Sequence, residues 1–394
     1  MSAWHLITCE YPPQIGGVSD YAFVMAKELA STGEPVHVWC GSAQGDCAGS
    51  PGVTVHRELG RFSLRNLYHA GKLLDRFPGP RKLFVQWVPH GYGYRSMNIV
   101  FCLWLWLRAR VKHDQVQIMF HEVWLSFGIS WKANIAAAMH RVMVALLKHA
   151  ASKIWIAGES WKEYLQGAPV PVGWLPVPSN VSCRPSPGQI AAVREQCNGT
   201  GNQIVGQFGI GDALVEQQLR FLVPALLRER STLSFLLIGK DSERVARKMQ
   251  QEHPDVRDRI FASGVLPPEE IAAHIGACDL MIQPYVDGIS TRRTAAMAVL
   301  ANGRALLTTS GHSTERFWKN CNQIKIVPAR DSAALVAQAI QLLNDDAERS
   351  RMAAAGQNLY EGFFTVTASA GVLRGASQSL TTDFLGHVVL GMKQ

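Results

Sequence analysis

Short apolar runs separated by helix-length stretches recur along almost the whole chain, and that alternation restricts the folds open to it. "WHLITC" (4–9) leads into "SDYAFVMAKELASTG" (19–33) and then "PVHVWCG" (35–41). "KLFVQWV" (82–88), "VQIMFHE" (116–122) and "SKIWIAGES" (152–160) continue the series, each ending in polar residues. The second half repeats it with "QIVGQFGIG" (203–211), "SFLLIGK" (234–240), "IFASG" (260–264), "DLMIQPY" (279–285), "ALLTTSG" (305–311) and "QIKIVPA" (323–329), before a strongly helical stretch over 329–363. Strand, helix, strand at this spacing predicts parallel α/β sheets. Such sheets place ligands beyond the carboxyl ends of their strands. Glu10, His121 with Glu122, and Glu159 all emerge there.

A chain of 394 residues exceeds what one core usually serves. Between 168 and 188, "APVPVGWLPVPSNVSCRPSPG" carries six prolines and reads as an extended linker. The expected fold class is therefore α/β, with two Rossmann-like doubly wound domains facing a cleft. Residues 1–178 form the first domain and 179–370 the second. A tail over 371–394 is expected to be helical and to pack back on the first.

Charge narrows the partners. Residues 1–178 hold 17 Lys and Arg against 11 Asp and Glu, and the rest hold 22 against 20. The excess on the first half favours a negatively charged partner. No basic block interleaved with aromatics suits nucleic acid, so an anionic membrane surface fits better. The eight cysteines are scattered without a CxxC pair, which argues against zinc and disulfide frameworks and for a reducing cytoplasm, with peripheral contact at the inner membrane face. The amino terminus enters a strand at once, with no room for a signal peptide. "IVFCLWLWL" (99–107) is too short to span a bilayer. It is expected to be a buried helix, with a place on a membrane surface as the alternative.

"QPYVDGISTRR" (283–293) ends a strand in a turn, two hydroxyls and two arginines, just before the helical "TAAMAVLANG". A helix start offers unpaired N–H groups and the positive dipole end, and guanidinium forks add a phosphate site. The same pattern also describes a surface turn. "EYPPQIGGVSDYA" (10–22) sets Gly16 and Gly17 between a strand and a helix, where backbone can approach a ligand and Ser19 or Asp20 can cap. "GIGDAL" (209–214) lacks the third glycine of a dinucleotide fingerprint, which disfavours NAD. "HEVW" (121–124) is not a metalloprotease motif; His121 there can serve as acid, base, polar contact or plain structure. No Asp-x-Asp pair occurs.

In their order, "YPPQIGGVSDYA", "VQWVPHGYG", "MFHEVW", "GESW", the proline-rich joint and "GVLPPEEIAAHIGACDLMIQPYVDGISTRRTAAMAVLANG" resemble bacterial family 4 glycosyltransferases of the GT-B fold, over roughly residues 4–330. The resemblance implies a retaining, metal-independent hexosyltransferase. Its donor is a UDP- or GDP-linked sugar, a substrate and not a cofactor, and no cofactor is expected. The acceptor is a glycan, a lipid-linked glycan or a small molecule, with polysaccharide assembly as the family default. By position, Gly16 and Gly17 approach the donor diphosphate, and His121 touches the transferred sugar or the reacting centre. Asp287 meets sugar hydroxyls, while Gly288 and the backbone of Ile289, Ser290 and Thr291 meet phosphate. Gly209 lies in the same donor region. Val265, in "SGVLP", lies where the base is cradled, and Glu122 and Glu159 fall on the acceptor side.

The chain departs from the family at several points. The second Glu of the donor loop is Ala295, which leaves ribose recognition open. The positions of the usual diphosphate-neutralising pair are Ile210 and Gln217, and neither is basic. Arg292 and Arg293, with Lys240 as a third candidate, are the expected substitutes, since an unneutralised diphosphate in a low-dielectric site is costly. A catalytically silent sugar-nucleotide binding or scaffold protein of the same fold is the alternative.

Overall fold

The computed structural model describes residues 3–375, except 15, 44–48, 94–95, 129, 182–183, 198–201 and 210–212. The chain forms two compact units. Met1–Val177 is joined by the helix Val366–Arg374, and Pro178–Thr365 makes the second. In the first, Arg374 bridges to Glu34 at 3.0 Å and so ties that late helix to the start of the sheet. The rest of the expected tail, 376–394, lies outside the described residues.

The first unit is a parallel sheet of β1 (Trp4–Ile7), β2 (Val36–Gly41), β3 (Val53–Gly60), β4 (Lys82–Trp87), β5 (Gln115–Phe120), β6 (Lys153–Ile156) and β7 (Val172–Trp174). Their order is β3-β2-β1-β4-β5-β6-β7. Central strands covered on both faces need apolar side chains on both, which is why "KLFVQW" and "QVQIMF" lack clean alternation. Val85 is in register with Ile7 on one side and Ile118 on the other, all buried. Beneath them Arg81 and Arg108 share buried Asp114 at 2.6 Å each, and Arg108 also holds Asp75. Removing one partner of such a buried cluster would leave an uncompensated charge.

The second unit is a parallel sheet of β8 (Gln203–Phe208), β9 (Leu233–Ile238), β10 (Ile260–Ala262), β11 (Leu280–Gln283), β12 (Leu306–Ser310) and β13 (Lys325–Pro328). Its order is β10-β9-β8-β11-β12-β13. The order reverses between β1 and β4 in one unit and between β8 and β11 in the other. In doubly wound sheets that reversal opens the crevice where ligands sit.

Two expectations need correction, and a third gains detail. The proline-rich stretch is not all linker: β7 lies inside it, pairing with β6 as an edge strand, a position where flanking prolines do no harm. Its last residues start the helix Pro187–Gln196, with a capping box between Ser186 and Gln189. The helical stretch 329–363 is two helices, Ser332–Leu343 and Asp346–Phe363, the second capped by Asp345. "IVFCLWLWL" lies in the helix Ile99–Val111, which is only half buried. Phe101, Cys102 and Leu105 enter the core, while Leu103, Leu107 and Val111 are exposed.

Candidate functional site

In the first unit, the carboxyl ends of β1, β4 and β5 bring Glu10, Gln86 and His121 toward the helix Gly17–Ala30. The His121 backbone N–H donates to Trp87 O at 3.0 Å, which fixes the residue directly after β5. Its Nε2 lies 2.9 Å from Gln86 Oε1, an oxygen that only accepts, which assigns the ring proton to Nε2. Tyr21 meets the imidazole edge-on, with ring centroids 4.7 Å apart. Desolvation pushes the His121 pKa down to about 4, so the ring is neutral at pH 7. Among the described residues, Tyr21 Oη and Gln86 Nε2, both buried, find no hydrogen-bond partner. Such atoms are costly unless something satisfies them.

Glu10 reaches over the next helix start. Its Oε1 accepts from the Ser19 N–H at 3.1 Å, while Ser19 Oγ donates to Gln14 O at 2.6 Å. The helix is thus capped from Glu10 and not by the Ser19 side chain. A side chain on residue 16 would overlap the Glu10 carboxylate, so Gly16 has a structural reason of its own. Gly17 is different: nothing lies within 4 Å of a Cβ built there, which leaves its backbone face open.

In the second unit, Asp287 receives both arginines. Arg292 Nη2 donates to Oδ2 at 2.8 Å, and Arg293 Nη2 donates to Oδ1. The Arg293 guanidinium also stacks 4.5 Å over the Tyr285 ring, whose hydroxyl pKa burial raises. Among the described residues, Ser290 Oγ and Arg293 Nε are buried and find no hydrogen-bond partner. Helix Thr294–Ala301 starts directly after this pair.

The loop is tied to a second loop that sequence reading passes over. Ile289 N–H donates to Thr309 O and Ser313 N–H to Asp287 O, each at 2.8 Å. Buried Glu315 accepts from both the N–H and the hydroxyl of Thr291, each at 2.8 Å. Gly288, at φ 91°, passes so close to Gly311 and Thr314 that no side chain fits. This corrects one expectation: the N–H groups of Ile289 and Thr291 are used inside the protein and do not face outward for phosphate. Glu315 lies 24 residues from Thr291, and "TERF" (314–317) carries no local pattern that announces it.

Neighbouring strand ends bring the other residues expected around a donor to this edge. Gly209, at φ 78°, follows β8, and a Cβ there would come 3.4 Å from Ala295 Cβ. The small residue at 295 matches that close approach. Lys240 follows β9 and Val265 follows β10, both exposed. Gln217 lies within the helix Ala213–Glu229, and Ile210 lies outside the described residues. Glu122 is half-buried after β5, and Glu159 begins the 3-10 turn Glu159–Leu165 after β6. The strand ends of the first unit also border a cavity of about 720 Å³, lined in part by Cys9, Gln14, Ser42, Arg61 and Asn98. Burial pushes the Cys9 thiol up to about 12, so it stays protonated. Among the described residues, no group of three or more His, Cys, Asp or Glu is gathered to hold a metal ion.

Two doubly wound units, each with a furnished switch point, define a class of fold, and solved structures share it. Sucrose-phosphate synthase (tll1590) from Thermosynechococcus elongatus aligns at 16% identity and TM-score 0.71, over 95% of this chain and 98% of its own. Anabaena Alr3699/HepE, solved in complex with UDP, aligns at 14% identity and TM-score 0.68, over 96% and 100%. WaaG, a glycosyltransferase involved in lipopolysaccharide biosynthesis, aligns at 13% and 0.63, over 95% and 100%. The chain has their two-domain Rossmann-like fold, GT-B. More specifically, residues 207–345 match the family model described as Glycosyl transferases group 1. No curated protein matches by sequence. The matched segment contains the whole Asp287–Arg293 loop together with Glu315.

Proposed function

We propose that the chain is a retaining, metal-independent glycosyltransferase of the hexosyl type. Its donor is a sugar linked to a nucleoside diphosphate, held at the carboxyl edge of the second unit's sheet. Its acceptor is held on the first unit. The observation that carries this reading is the pair Arg292 and Arg293 on the single carboxylate of Asp287, within the matched segment 207–345.

A diphosphate offers the arginines more negative charge than Asp287 does, in a shape their planar forks match. The donor therefore displaces the carboxylate from the guanidinium groups and frees it to meet sugar hydroxyls. When the bond from the sugar to the diphosphate breaks, negative charge grows on the departing oxygen. Donors whose grip strengthens with that charge lower the barrier, whereas uniform binding does not. His121, neutral and with its Nε2 proton given to Gln86, offers Nδ1 as a hydrogen-bond acceptor at the first unit's strand ends. Lys240 and the backbone of Gly209 complete the anion's surroundings, and Val265 borders the base. Scattered thiols, six of them outside any disulfide among the described residues, suit work in a reducing cytoplasm.

Alr3699/HepE has also been solved with UDP-glucose, which makes uridine the first base to test. The experiment is incubation with UDP- and GDP-sugars, followed by measurement of nucleoside diphosphate release. Release that disappears in Arg292→Ala with Arg293→Ala supports the reading. Tight binding with no release, under any acceptor, would instead mark a silent sugar-nucleotide binder, and neither binding nor release would overturn both.

A further inference from the structure

The helix Ile99–Val111 is apolar on faces that its unit does not cover. Leu103, Leu107 and Val111 point away from the core, Val111 at 62% exposure. The helix Leu64–Leu74 runs beside it and contributes Leu64 and Tyr68, one turn apart, at 72% and 68% exposure. Between the two helices lies a trough of about 630 Å³ whose exposed surface is mostly apolar, with Lys72, Asp75, Arg108 and Lys112 also on its wall. Gly71 and Trp104 also line it: a Cβ on Gly71 would sit 3.3 Å from Trp104 Nε1, so the missing side chain lets the indole pack closely on the neighbouring helix. Isolated exposed leucines need no explanation, but a contiguous apolar trough does.

Its position gives that explanation. Leu64 and Val100 line both the trough and the polar cavity of about 720 Å³ at the strand ends, so the two spaces adjoin. The polar cavity presents Gln14, Ser42, Arg61 and Asn98. One ligand spanning both would need a polar head at the strand ends and a hydrocarbon tail between the helices. We propose that the first unit takes an amphiphilic acceptor in this way, its head beside Arg61 and its tail along Tyr68, Leu103 and Leu107. This rests on the reading of the first unit as the acceptor side and narrows the acceptor to a lipid-linked molecule. A concave space that runs into a polar cavity suits a single chain better than a flat bilayer. The basic first half of the sequence suits a head bearing phosphate.

The test uses the full chain with hexyl, octyl and decyl phosphate, each below its micelle concentration, in isothermal titration. Saturable binding should tighten by about two- to fourfold for each added methylene. Tyr68→Glu and Leu107→Glu alter exposed side chains and should fold normally. Each should weaken decyl phosphate at least tenfold and flatten the dependence on chain length. Leu103→Trp, which fills the trough without adding charge, should do the same. Affinity independent of chain length, or variants that bind like the parent, would overturn the inference. Sedimentation with phosphatidylglycerol vesicles without binding of the monomeric probes would assign the face to a bilayer and overturn it too. So would a dimer, seen by analytical ultracentrifugation, that these variants dissociate. UDP titrated in parallel separates the two readings: loss of UDP binding with alkyl phosphate binding intact strikes the donor site alone.

Discussion

Glu10 and Gly16 share one volume: the glutamate carboxylate occupies the space that a side chain on residue 16 would need, and from there it caps the helix at Ser19. Gly16 has extended backbone at φ 179°, so alanine meets no strain of its own there. Gly16→Ala should act by pushing Glu10 off the Ser19 N–H. Loss of a cap costs about 1 kcal/mol. Glu10→Ala should cost a similar amount, and the double variant little more than either. Urea unfolding of the three variants checks this, because full additivity would mean the residues act separately.

His121 makes stability fall with acid in a defined window. Its folded pKa of about 4 lies below the unfolded value of 6.5, so the unfolded chain binds a proton first as pH drops. The stabilisation is complete above about 6.5 and is lost as pH falls toward 4, on the order of 3 kcal/mol at most. His5, pushed down to about 3 by burial, adds to the slope in the same direction. His121→Gln should flatten part of the slope in denaturation measured from pH 7 to pH 4. If the ring serves as a neutral contact, turnover of the parent should show no inflection from it between pH 6 and 8.

Glu315 holds the donor loop from outside it. Glu315→Ala leaves the Thr291 N–H without its buried carboxylate partner, and a hydrogen bond to a charged group contributes about 1.5–3 kcal/mol. Stability should fall by about that amount. Donor affinity should fall further than in a surface variant of equal stability. Glu315→Gln keeps an acceptor and should restore part of both. Thermal unfolding with parallel UDP titration checks it, and UDP affinity unchanged in Glu315→Ala would separate this clamp from donor binding.

The sheets were legible because their strands are covered on both faces. "SFLLIGK" contains most of β9 and "VQIMFHE" most of β5 without any need for alternation. β3 was not, since "VTVHRELG" is mostly half-exposed and carries a polar pattern, and β7 is hidden among prolines. The loop 283–293 announced an anion site through its composition, and the structure supplies an anion from within: Asp287, five and six residues before its arginines. Contacts made across long separations left no local trace. Glu315 reaching Thr291 and Tyr21 meeting His121 depend on which strand ends the topology brings together, and no short motif encodes that. The half-exposed helix Ile99–Val111 misleads for a related reason, because an apolar run shows what a helix can bury and not what is present to cover it.

The most direct test of the account is diphosphate binding at the twin arginines. UDP and uridine should be titrated calorimetrically into the parent, Arg292→Ala, Arg293→Ala and Asp287→Asn. If the arginines exchange the carboxylate for the donor's diphosphate, each alanine variant should bind UDP about 10- to 100-fold more weakly, with uridine nearly unchanged. Asp287→Asn removes the competing charge and should bind UDP at least as tightly as the parent. UDP bound equally well by both alanine variants would contradict the account, leaving Arg292 and Arg293 as partners of Asp287 and nothing more.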